Sequence, residues 1–184
     1  FKLRPEAIEA AITPKTKMLI VNSPGNPTGV GLNKQELAAI AAVAKKHNIL
    51  ILSDEIYEQL NYDDEPCTLV GMYENVILLN GFSKMGGMPG WRVGFAAGPE
   101  AIIQQMNTLQ QYTFVCAPSF AQKAAAEVLR RDFSETVAAY RKKRDIVYEG
   151  LKDKFNVTKP GGAFYIFPEA PGLDGDKFVA KAIE

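Results

Sequence analysis

Met18-Leu19-Ile20-Val21-Asn22-Ser23-Pro24-Gly25-Asn26 decides the fold: an apolar run without interruption, then a polar break rich in proline and glycine. Ile49-Leu50-Ile51-Leu52 passes into Ser53-Asp54 in the same way, and Val76-Ile77-Leu78-Leu79 into Asn80-Gly81-Phe82-Ser83-Lys84. Unbroken runs of this length read as strands buried on both faces, because half-exposed strands alternate. A helix lies between the first two runs. It opens at Asn33 with Glu36 in capping-box position, buries Leu37, Ile40, Ala41 and Ala44, and closes on Lys45-Lys46-His47-Asn48, where cations suit the helix dipole. Strand, helix and strand in this order predict a right-handed crossover and a mostly parallel α/β sheet. Ligands of such sheets sit at the carboxyl ends of the strands, and all three runs deliver their polar motifs to that edge.

Beyond Lys84, Trp91-Arg92-Val93-Gly94-Phe95-Ala96-Ala97 predicts a further strand, stopped by Gly98-Pro99. Helical patterns follow from Glu100 to about Gln111 and from Pro118-Ser119. A longer one, from Ser134 to about Lys154, sets Val137, Tyr140, Val147 and Leu151 on one stripe and Arg141-Lys142-Lys143-Arg144 largely off it. With Asp145 and Glu149 on the same helix, those cations read as a solvated face and not as a nucleic-acid surface. Val157-Thr158-Lys159 and Ala163-Phe164-Tyr165-Ile166-Phe167 flank Pro160-Gly161-Gly162 and predict strands of a smaller α+β domain. The expected division is residues 1–140 as part of a large domain and 141–184 as a bridging helix with part of a small C-terminal domain.

Lysine plus arginine equal aspartate plus glutamate at 21 each, so no net field favours nucleic acid or an anionic membrane, and a small substrate is expected. The longest nearly pure apolar stretch, Leu37 to Ala44, is far shorter than the ~18 residues of a membrane span. Cys67 and Cys116 stand apart in no metal-ligand spacing, which fits a reducing cytoplasm and no metal site. His47, the single histidine, falls at a helix end away from the motifs and reads as a surface residue. Gly81 to Gly87 lacks the order of a P-loop, and no Gly-x-Gly-x-x-Gly follows a strand, so nucleotide binding is disfavoured. The chain begins at Phe1 and stops at Glu184 within a helical pattern, reading as a piece of a longer protein whose targeting signal, if any, lies before Phe1.

The motifs at the sheet edge supply an amine, a carboxylate, hydroxyl and amide donors and a guanidinium, the set that pyridoxal phosphate chemistry requires. In order and spacing, Asn22-Ser23-Pro24-Gly25-Asn26-Pro27-Thr28-Gly29, Ser53-Asp54-Glu55-Ile56-Tyr57, Phe82-Ser83-Lys84 with Gly90-Trp91-Arg92-Val93-Gly94, and Gly162-Ala163-Phe164-Tyr165-Ile166-Phe167-Pro168 resemble the class I and II aminotransferases. These are fold type I enzymes dependent on pyridoxal 5'-phosphate, with aspartate aminotransferase as the pattern. The resemblance implies that Lys84 forms the aldimine with the cofactor and then shuttles a proton at the substrate α-carbon, for which burial and cations must lower its pKa toward ~7 to 8. It implies that Asp54 faces the pyridinium nitrogen and that Tyr57 and Asn26 donate to the ring's phenolic oxygen, Asn26 also serving its turn. Arg92 is implied as the phosphate ligand, where a planar fork suits a dianion. Many relatives carry a serine three residues before the lysine; here Gly81 stands there, and Ser83 is the substitute donor expected.

The resemblance further implies an aminotransferase that passes an amino group from an amino acid to a 2-oxo acid, as a homodimer. Two rivals share the motifs: a pyridoxal phosphate-dependent C–S lyase or aminocyclopropane carboxylate synthase-like enzyme, and a pyridoxal phosphate-sensing domain of a transcription regulator. Relatives bring a phosphate loop and ring-stacking aromatic from before the segment matching Phe1, and a carboxylate-binding arginine from beyond Glu184. The segment by itself is therefore expected to be inactive or poorly active.

Overall fold

The three apolar runs become strands β1 (Met18–Asn22), β2 (Leu50–Asp54) and β3 (Val76–Gly81) of a computed structural model that describes residues 1–172 and 174–184. With β4 (Gly94–Ala97) they form one sheet in the order β1-β2-β3-β4. The first three are mutually parallel and β4 runs antiparallel to β3. Register sets Asn22 beside Asp54 and Asp54 beside Leu79, so the strands deliver their polar ends to one level.

Two helices, α1 (Pro5–Ala11) and α2 (Lys34–Lys46), pack together beside this sheet. The expected capping box forms: the Asn33 side chain accepts from the Glu36 amide at 2.9 Å and Glu36 Oε2 accepts from the Asn33 amide at 2.9 Å. Leu37, Ile40, Ala41 and Ala44 of α2 then bury against Val21, Ile51 and Val76, with Leu69 and Tyr73 closing the cluster. The remaining helices are α3 (Glu100–Gln111), α4 (Ser119–Val128), α5 (Ser134–Leu151) and α6 (Gly175–Ile183).

Four expectations change. Burial on both faces does not hold for β1, where Val21 is buried but Ile20 is 63% exposed, because the α2 cluster covers one face of this edge strand. The strand expected from Trp91 starts at Gly94, since Pro89–Trp91 forms a 3-10 turn and Arg92 turns left-handed at φ 54°. Arg144 does not belong to a solvated face. Its side chain is 6% exposed, its Nη1 donates to both carboxylate oxygens of Asp63 and, at 2.6 Å, to the carbonyl of Pro160, and its guanidinium lies 5.0 Å over the Tyr62 ring.

The fourth change concerns the strands expected around Pro160-Gly161-Gly162. Val157 and Pro168 meet in an isolated antiparallel bridge, as do Asn61 and Gly162, and no ladder forms among the described residues. A lone strand pair is marginal in water, and the backbone groups here find other partners. Tyr62 donates its amide to Gly161 O at 2.8 Å, Gly162 donates to Gly29 O at 2.9 Å, and Ala163 donates to Leu60 O at 2.8 Å. The Tyr62 hydroxyl donates to Ala163 O, and burial pushes that phenol up to about 12, so it keeps its proton. The contact tolerates no side chain at its centre: a Cβ on Gly162 would lie 2.6 Å from both Leu60 O and Pro24, and one on Gly29, itself at φ 67°, would lie 2.5 Å from Pro160. Gly162→Ala is expected to lower stability by about 1–3 kcal/mol, read as a lower urea midpoint at unchanged slope; an unshifted midpoint contradicts the close approach.

Candidate active site

The loop after β1 is drawn tight by its own backbone, Gly29 donating to Gly25 O at 2.8 Å and Gly25 to Val30 O at 2.9 Å. Asn22 joins this loop to the next strand. Its Oδ1 accepts from the Asn26 amide at 2.8 Å and its Nδ2 donates to Asp54 O at 3.1 Å. Asn26 stands exposed at the turn, as its sequence context requires. Asp54 ends β2 half-buried, its Oδ1 accepting a 3.3 Å hydrogen bond from the Ile56 amide.

Tyr57 follows in a buried turn, 3% exposed, with its ring edge-on to Phe164 at 5.3 Å and to Tyr165 at 5.7 Å. Its hydroxyl lies 2.7 Å from that of Tyr165. Lys84, exposed beyond β3, places Nζ 5.5 Å from the ring centres of both Tyr57 and Phe164. Two aromatic rings therefore lie beside this amine, which stands exposed among the described residues and not buried as its implied role requires. Arg92 donates from Nη1 to Pro89 O at 2.8 Å and borders a cavity of about 740 Å³ shared with Asn80, Gly94 and Phe95. Among the described residues, Lys84, Asp54 and Arg92 form no ion pair, so an amine, a carboxylate and a guanidinium remain available to a ligand.

The structure thus joins Tyr57 to Lys84 through an aromatic contact and Asn26 to Asp54 through Asn22, while among the described residues Arg92 and Ser83 touch none of the four through a hydrogen bond. Gly81 has a packing reason. A Cβ there would lie 3.2 Å from Gly94 Cα and from Val93 O, because β3 and β4 cross at the Gly81–Gly94 pair. Residues without a role in the sequence pattern alone include Asn22, Glu55, Phe164 and Tyr165. All four lie inside the motifs quoted above, and contacts made across the fold bring them to the candidate site.

Glu55 is 3% exposed, and its Oε1 accepts from Ser53 Oγ at 2.7 Å, Thr68 Oγ1 at 2.9 Å and the Leu69 amide at 3.3 Å, while Oε2 is buried without a partner among the described residues. It fastens the turn that follows Asp54 to the 68–69 segment.

The fold matches that of an aromatic aminotransferase from Pyrococcus horikoshii OT3 with a TM-score of 0.93 at 38% identity, over 100% of this chain and 52% of that one. It matches an aspartate aminotransferase from Thermus thermophilus, solved with maleate, with a TM-score of 0.93 at 34% identity, over 98% and 50%. The architecture is that of the α/β large domain of the fold type I class. The family model for aminotransferase class I and II covers residues 1–184, and the chain belongs to this family, which depends on pyridoxal 5'-phosphate. Relatives include a probable aspartate aminotransferase of Methanocaldococcus jannaschii, 39% identical over 100% of this chain and 52% of the relative. The aromatic-amino-acid aminotransferase 2 of Thermococcus litoralis is 42% identical over 97% and 49%. The chain spans about half the length of the curated relatives it matches.

Burial raises the pKa of Glu55 above the ordinary carboxylate value of 4.5, against the opposing hydrogen bonds from Ser53, Thr68 and Leu69. The folded state then binds this proton more tightly than the unfolded one, so the contribution of Glu55 is full below pH 4.5 and is lost as pH rises through the raised value. Relative to the parent, Glu55→Gln is expected to gain stability as pH climbs through that window, read as the difference in melting temperature between the two proteins; a difference independent of pH contradicts the assignment.

Proposed function

We propose that the protein to which this chain belongs is a pyridoxal phosphate-dependent aminotransferase that moves an amino group from an amino acid to a 2-oxo acid. The observation that carries this reading is the Lys84 amine beyond β3, without an ion-pair partner among the described residues, set against Tyr57 and Phe164 and one strand from the Asp54 carboxylate. The available donors and acceptors fit the cofactor: amine for aldehyde, carboxylate for ring nitrogen, hydroxyl and amide for ring oxygen, guanidinium for phosphate. When bound, pyridoxal phosphate supplies an electron sink for the bond broken at the amino acid's α-carbon.

In this reading Lys84 would hold the cofactor through its aldehyde, and its Nζ would serve as the base that takes and returns the proton at the substrate α-carbon. Asp54 keeps the ring nitrogen protonated by a charge-assisted hydrogen bond. Tyr57 and Asn26 donate to the ring oxygen. Arg92 presents its fork to the phosphate, with the Ser83 hydroxyl as a further donor. The names of the relatives support an acidic or aromatic amino acid as donor. The reading includes a large-domain part at residues 1–140 and a bridging helix with part of a small domain at 141–184.

The protein is proposed to work as a cytoplasmic homodimer. Exposed Tyr112, Phe114, Val115 and Phe120 offer apolar surface for association. No helix among the described residues is long and apolar enough to cross a membrane.

The full-length protein, reconstituted with pyridoxal phosphate and given amino acids singly, is expected to yield stoichiometric 2-oxo acid without ammonia. Ammonia release identifies a lyase instead, and no reaction with any amino acid points to a sensor. Asp54→Ala removes a bond contributing about 1.5–3 kcal/mol, so cofactor affinity is expected to fall about 10- to 150-fold in equilibrium dialysis; normal affinity and turnover contradict the role.

A further inference from the structure

Tyr165 reaches the site from the 160–168 segment, and its hydroxyl lies 2.7 Å from that of Tyr57. A phenol has one proton to give and two sites at which to accept, so in a pair of facing hydroxyls only one donates to the other. If Tyr57 gave its proton to Tyr165, it would have none for a ligand. The opposite direction leaves the Tyr57 proton free and, through cooperative polarisation, makes it a stronger donor. We propose that Tyr165 is a positioning residue that donates to Tyr57, aiming and strengthening the Tyr57 hydroxyl toward the ring oxygen of the cofactor. The proposal rests on the pyridoxal phosphate reading of the site.

Geometry holds the two hydroxyls in contact. Tyr57 is 3% exposed and its ring is wedged edge-on between Phe164 and Tyr165, with interplanar angles of 87° and 86°, so its hydroxyl has little freedom to swing. Tyr165 is placed by backbone and not by rotamer alone, since the amides of Gly162 and Ala163 are bonded to Gly29 and Leu60, and Tyr165 O would lie 2.9 Å from a Cβ on Gly29. The pKa of Tyr165 is raised, first by the hydrogen bond to Tyr57, then by burial and the Tyr57 charge, against the opposing charge of Lys84, as fits a phenol that retains its proton. The ionisable groups around the pair are Lys84 beside the Tyr57 ring and Tyr62, Tyr140, Lys143 and Arg144, which share the neighbouring cleft with Tyr165.

The test uses the reconstituted full-length protein and the pH midpoint of the bound cofactor's visible absorption. A weaker donor to the ring oxygen stabilises its anionic form less, so Tyr165→Phe is expected to raise this midpoint by about 0.5 unit, a threefold change in proton affinity, with cofactor stoichiometry retained. Tyr57→Phe is expected to raise it further, and the double variant to add nothing to Tyr57→Phe, because Tyr165 acts through that hydroxyl. 3-Fluorotyrosine at position 165, a stronger donor of the same shape, is expected to lower the midpoint. If Tyr57→Phe shifts the midpoint and the position 165 variants do not, or if the single shifts add in the double variant, this proposal is overturned while the cofactor reading stands. If Tyr57→Phe itself shifts nothing, the role of Tyr57 in the cofactor reading fails.

Discussion

The close approach of two backbones, Gly161–Ala163 on one side and Pro24, Gly29 and Leu60–Tyr62 on the other, is the constraint on which the candidate site depends. Two glycines make it possible, because a Cβ on Gly162 or Gly29 would stand 2.6 Å or less from its neighbours. Three amide hydrogen bonds then lock it. Arg144 secures the same contact from α5, tying Pro160 O and Asp63 together from a nearly inaccessible position. A buried cation of this kind is tolerated because its Nη1 meets the Asp63 carboxylate and the Pro160 carbonyl, its Nε lies 2.8 Å from Asp145 Oδ1 and its face rests on the Tyr62 ring.

From that lock, aromatic geometry follows. Phe164 and Tyr165 leave Ala163 at a fixed point and meet Tyr57, which in turn forms part of the surface on which Lys84 rests. The sheet provides the other half of the arrangement. Parallel register brings Asn22 level with Asp54, and the Asn22 side chain bonds onward to the Asn26 turn, so residues from two strand ends hold one geometry. A parallel sheet gathers loop-borne groups at its carboxyl edge, and here hydrogen bonds within the loop after β1 and from Asn22 to the end of β2 brace them.

Much of this was legible in the sequence, for reasons of period and punctuation. β1, β2, β3 and α2 were marked by apolar runs, by the Asn33–Glu36 box and by the apolar stripe of α2, all local signals. Lys84, Asp54, Tyr57, Asn26 and Arg92 are singled out as candidates by the motifs at and after the run ends and by the family resemblance these carry. Local signals failed where partners lay far along the chain. Val157 to Phe167 has strand composition, yet its backbone bonds to residues near positions 29 and 60. Arg144 stands within a charged run, and only the arrival of Asp63 and Pro160 removes it from water. Tyr165 and Glu55 sat inside quoted motifs without a role, because what defines them is a hydroxyl 2.7 Å away in one case and a buried pocket of donors in the other.

The central claim is that Lys84, and no other lysine, carries pyridoxal phosphate. It is tested most directly by reducing the reconstituted full-length protein with borohydride, which fixes the cofactor to the amine that holds it, and mapping the modified peptide by mass. The account predicts one phosphopyridoxyl group per chain, on Lys84. The label on a different lysine, or no covalent label at full cofactor occupancy, would contradict it.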